Sequence, residues 1–116
     1  MAKRPRKIPV LFYRSAAGAE PVRDWIKSLP EKDQHAIGLD LMRVQFGWPI
    51  GMPLCRALDN GLWEVRTTLS DDRQARVLFF FHEGRIGVVA GFIKKSQKTP
   101  QSELDLARER MKEMKS

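Results

Sequence analysis

The spacing of apolar side chains changes along this chain, and each change marks a new kind of element. Ile8 to Arg14 is a short run of β-branched and aromatic residues closed by Ser15-Ala16-Ala17-Gly18, which predicts a first strand. Val22, Trp25, Ile26 and Leu29 then recur at i, i+3, i+4 and i+7, one apolar face of a short helix. Pro30 interrupts it and suits the start of a second helix, with Glu31 and Asp33 in the first turn, where the helix dipole favours negative charge. Ile37, Leu41 and Val44, with Met42 and Phe46 beside them, supply the buried stripe of that helix, and Gly47-Trp48-Pro49 ends it. The two helices make a hairpin.

Residues 48–61 carry repeated glycine and proline breaks and predict a long loop, or a loop holding a short strand around Cys55-Arg56-Ala57. After it the period switches to two. Trp63, Val65 and Leu69 fall on one face, and Glu64, Arg66 and Thr68 on the other. Beyond a turn at Ser70-Asp71-Asp72, Ala75, Val77, Phe79 and Phe81 share a face opposite Gln74, Arg76 and Phe80. Glu83-Gly84 is a second turn, and Ile86 to Lys95 a third strand, so these strands form an antiparallel meander. Thr99 reads as a helix N-cap with Pro100 at the first helical position, and Leu104, Ala107, Met111 and Met114 form the stripe of a last helix. The fold class is therefore α+β, in the order β-α-α-β-β-β-α. A small, mainly antiparallel sheet is packed by an N-terminal helical hairpin and a C-terminal helix.

With 116 residues, the chain is expected to be a single domain over 1–116, its first seven residues a loose basic arm. The 21 Lys and Arg exceed 14 Asp and Glu, giving +7, and the excess is uneven. Lys3, Arg4, Arg6 and Lys7 crowd the arm, while Arg66, Arg73, Arg76, Arg85, Lys94, Lys95 and Lys98 face only Asp71, Asp72 and Glu83 between positions 66 and 98. Clustered positive charge attracts phosphates by counterion release, so RNA, DNA or an acidic protein is the expected partner. One cysteine, Cys55, and two separated histidines, His35 and His82, argue against a disulfide or a zinc centre, and neither metal nor cofactor is expected. Val10-Leu11-Phe12 is too short for a signal-peptide core and no run reaches transmembrane length, so a cytoplasmic protein without a membrane partner is expected.

The chemistry concentrates in two groups. Arg66 and Arg76 lie mid-strand, opposite their apolar rows, and pairing through the Ser70 to Asp72 turn puts both guanidinium groups on one side of the sheet, where they can clamp a phosphate. Alternatively each pairs with Glu64 or an acid of the last helix. Lys94, Lys95 and Lys98 cluster where the last strand stops, as an anion site or as a solvated loop. Such a site suits RNA cleavage, because the 2′-OH is the nucleophile and basic side chains need only align it and stabilise developing charge. His82 is either an acid–base group or a turn-flanking surface residue. Cys55 reads as a small buried apolar residue, and Trp48, in a loop, is the one tryptophan left to stack on a base.

Gly61-Leu62-Trp63-Glu64-Val65-Arg66 resembles the G-LWE-R signature of the phage-derived HigB toxin family, within the RelE/ParE superfamily. Ala75-Arg76-Val77-Leu78-Phe79 is similar to its arginine-bearing next strand, and the segment from Gly91 to Pro100 to its GF-KK-QKTP run, followed by Glu103, Ala107 and Arg110. The resemblance, over residues 8–112, implies a RelE-like fold with a small curved sheet and the toxin of a type II toxin–antitoxin pair. It further implies a ribosome-dependent mRNA endonuclease that inhibits translation, restrained by a helix-turn-helix, HigA-like antitoxin. By position it assigns catalysis to Arg66, Arg76, Lys94 and Lys95, and substrate binding falls to Lys98, Arg73, Arg85 and His82. The alternatives are a ParE-like gyrase inhibitor and a non-catalytic basic module that binds nucleic acid or antitoxin.

Overall fold

A computed structural model describes residues 7–95 and 97–116, so the expected arm lies, apart from Lys7, outside the described residues. The elements run β1 (Val10–Phe12), α1 (Pro21–Ser28), α2 (Glu31–Gly47), β2 (Cys55–Ala57), β3 (Leu62–Thr68), β4 (Gln74–His82), β5 (Arg85–Ile93) and α3 (Gln101–Lys115), with a 3₁₀ turn at Ser70–Asp72. This is the expected α+β, RelE-like order, with the short strand at Cys55–Ala57 formed. The five strands lie in the order β1-β5-β4-β3-β2. Only β1 pairs in parallel, beside β5, so the sheet is mixed but mainly antiparallel.

The meander follows from its turns. His82 pairs with Arg85 across Glu83 and Gly84, whose φ angles of 50° and 75° are both positive, the geometry that matches strand twist in a two-residue hairpin. A register shift between Leu78 and Phe79 bulges β5, so that Val89 and Ala90 both join the cluster under α3.

Apolar rows on the two sheet faces form two cores. Val22 of α1 and Ile37, Leu41 and Val44 of α2 pack against Val65, Val77, Phe79 and Val88. On the opposite face Ala107 and Met111 of α3 cover Leu62, Leu78, Phe80, Val89, Ala90 and Phe92. That second cluster stops short of the Ser70–Asp72 end of β3 and β4, where the same face continues as Arg66, Thr68, Gln74 and Arg76. No described helix is long and apolar enough to cross a membrane.

Three local expectations change. Met42 and Phe46, expected in the buried stripe of α2, are exposed, because they project from the helix away from the Ile37, Leu41 and Val44 face that meets the sheet. The strand expected to reach Lys95 ends at Ile93, although the Lys94 amide still donates to the Gln74 carbonyl at 2.7 Å. Thr99 does not cap α3: the helix begins at Gln101 with Pro100 in the cap position and no side-chain cap. The Thr99 hydroxyl instead donates to Glu64 at 3.0 Å. A buried carboxylate without donors costs more than an uncapped, solvated helix end, so the hydroxyl goes to Glu64.

Candidate functional site

Register decides the site. Arg66 and Arg76 are direct cross-strand partners, and Arg56 on β2 is the partner of Glu64. Directly opposite residues share a sheet face, so Arg56, Glu64, Arg66 and Arg76 all lie on the face that α3 packs on, beyond its apolar cluster. Like charges placed opposite each other are unfavourable, and here a carboxylate is built in beside them. Glu64 is 2% exposed and Arg76 3%, with Arg76 Nε 3.9 Å from Glu64 Oε1. Arg76 Nη1 also donates to the Ala75 carbonyl at 3.0 Å and to Gln74 Oε1 at 3.5 Å. Burial, then the charge of Arg66, draws the Arg76 guanidinium below its ordinary pKa; Glu64 pulls it back and Arg56 adds to the lowering.

Arg66 is half-buried and its Nη1 reaches the Met52 sulfur at 3.5 Å. Among the described residues no acid lies in ion-pair range of Arg66 or Arg56. Three guanidinium groups thus cross three strands around one carboxylate, which leaves uncompensated positive charge for an anion. Beside Arg66 runs an open groove of about 500 Å³ lined by Asp40, Arg43, Leu54, Thr68 and Gln74.

The other expected residues divide by position. Lys94 follows Phe92 by two on the ladder and faces Gln74, so parity puts it on the face of Arg76. Lys95 is the next, exposed residue, and Lys98 lines a separate depression with Arg56 and Arg108. Arg73 is not brought to this face: its Nη2 holds the buried Asp33 of α2 at 2.6 Å, on the helix-hairpin side. Arg85 and His82 pair with each other at the far end of the hairpin, with His82 Nε2 3.7 Å from Glu83. His82 lies six residue steps along the strand from Arg76, about 20 Å at a strand rise of roughly 3.3 Å per residue. Trp48 is not free to stack on a base, because its ring packs edge-on against Trp63 at 4.9 Å and Phe79 at 5.2 Å. Sequence reasoning missed Arg43, Arg56 and Gln74. Arg56 carries no parity signal in a three-residue strand, whereas Gln74 follows from the parity that placed Arg76.

A model of the phage-derived Gp49-like family (DUF891) matches residues 24–112. No curated protein sequence matches the chain. The family match runs from within α1 into α3 and takes in every residue of the arginine-bearing face, so the chain belongs to the Gp49-like phage-derived family, a relative of the RelE/HigB toxin type.

Proposed function

We propose that this protein is the toxin of a type II toxin–antitoxin pair and an endoribonuclease of the HigB kind that cleaves mRNA on the ribosome in the cytoplasm. The observation that carries this reading is the direct opposition of Arg66 and Arg76 on a sheet face whose buried acid, Glu64, is already engaged. Such a face suits an anion whose charge grows during reaction. Attack of the RNA 2′-oxygen on the adjacent phosphorus breaks the bond to the 5′-oxygen, leaving a cyclic phosphate and a 5′-hydroxyl. Arg66 holds the phosphoryl oxygens, the buried Arg76–Glu64 pair forms the floor that positions Arg66, and Lys94 and Lys95 add charge at the open margin. This donor set of guanidinium and ammonium groups supports chemistry that does not rely on a bound metal. Family membership supports the toxin role, and a HigA-like helix-turn-helix antitoxin is the partner that would neutralise it.

The test is induced expression of wild type and Arg66→Ala with mapping of mRNA 5′ ends. Arg66 is preferred to Arg76 because its loss leaves the buried pair with Glu64 in place. Codon-phased cuts that fall by about 10²–10³ in the variant, the scale of losing one charge-stabilising donor, support the reading. Growth arrest with intact mRNA and inhibited supercoiling would transfer the protein to the gyrase inhibitors.

A further inference from the structure

The basic charge does not end at Arg66. Arg56 and Arg66 are diagonal neighbours on one face, since Arg56 sits opposite Glu64 and Arg66 lies two residues further along β3. On the far side of Arg56 is a second depression, about 460 Å³, lined by Arg56, Asp59, Lys98, Thr99 and Arg108. It draws on β2, the segment before α3 and α3 itself, and brings three cations around one acid. Two of these residues are fixed by the fold. The Arg108 guanidinium is anchored on the Leu58 and Asp59 carbonyls at 3.0 and 3.3 Å, and Thr99 is tied to Glu64. Arg56 is exposed, and the carboxylate opposite it is taken by Thr99 and Arg76.

We propose that this depression is a second phosphate subsite, which holds a backbone phosphate of the same single-stranded RNA next to the one at Arg66. The proposal rests on the reading of the Arg66–Arg76 face as an RNA site and extends it. The strand then runs from the Arg66 groove along β2, over Arg56, to Arg108 beside the β2–β3 turn. Arg56 is a binding residue here, touching a phosphate remote from the bond that breaks.

Salt dependence counts such contacts, because each phosphate neutralised on a single strand contributes about 0.7 to the slope of log K against log salt. The probes are 2′-O-methyl RNAs, which lack the attacking hydroxyl: a dinucleoside monophosphate and a hexanucleotide, titrated against the full chain. For the hexanucleotide, Arg56→Gln lowers the slope by about 0.7, and Arg56→Lys, which keeps the charge, restores it. The monophosphate slope is the same in all three proteins. An unchanged hexanucleotide slope in Arg56→Gln, or an equal loss of slope on both probes, overturns the second subsite. Arg66→Gln separates this from the parent reading: if it too leaves both slopes unchanged, the face is not an RNA site at all. Arg56 is exposed on an edge strand, and thermal unfolding of each variant checks that the fold is kept.

Discussion

Glu64→Gln is the most demanding test of how the arginine face is held together. The substitution keeps the size of the side chain and leaves an acceptor for the Thr99 hydroxyl, but removes the carboxylate beside Arg76. Both partners are almost fully buried, at 2% and 3% exposure, and no other described acid reaches the Arg76 guanidinium. Breaking a buried ion pair from one side costs about 3–5 kcal/mol, because the remaining charge stays buried and unpaired. The Arg76 Nε to Glu64 Oε1 separation of 3.9 Å is longer than a charge-assisted hydrogen bond, which places the cost near the lower bound, about 3 kcal/mol. At an unfolding entropy of about 2.1 cal/mol/K per residue, this chain loses about 12 °C of Tm. Thermal and urea unfolding of the purified protein measure it. Thr99→Val removes one hydrogen bond and costs only about 1 kcal/mol. Replacing the pair together, Glu64→Leu with Arg76→Met, recovers most of the loss, since an apolar pair has no desolvation penalty. A cost for Glu64→Gln below about 1 kcal/mol, or a double variant no better than the single one, would refute the claim that Glu64 neutralises Arg76.

Two further predictions concern the hairpin side of the sheet. A Cβ added at Gly91 would sit 2.5 Å from Cζ3 of Trp25, so Gly91→Ala forces the indole outwards; the cost is about 1–3 kcal/mol, read from the urea midpoint, and an unshifted midpoint would contradict it. Burial, and secondarily Asp40, pushes the Cys55 thiol up to about 11. The folded state thus favours the protonated thiol, giving stability that is present below the ordinary thiol pKa and lost as pH rises towards 11. Wild type should lose stability over that window more steeply than Cys55→Ala, and parallel curves would show that the thiol does not couple to folding.

Much of this molecule was legible in the order of its residues, because periodicity reports burial directly. Ile37, Leu41 and Val44 repeat on a helical face and are buried, and Val65, Val77 and Phe79 alternate and are buried against them. The same alternation put Arg66 and Arg76 on the opposite face, and the register makes them direct partners. Tertiary structure alone decided which basic residues belong together. Arg73 and Arg85 carry the same charge as Arg66, yet one holds Asp33 under the helix hairpin and the other lies at the far end of the strands. Arg56 joined the face through β2–β3 pairing, a contact between segments that local pattern does not encode. Thr99 had the local signature of a cap and was claimed by Glu64, because satisfying a buried carboxylate outweighs capping a helix end in solvent. The physical reason is common to all three cases. Strand parity is a local property fixed by the backbone, whereas the neighbours of a charge depend on how distant segments pack and on which buried group most needs a partner.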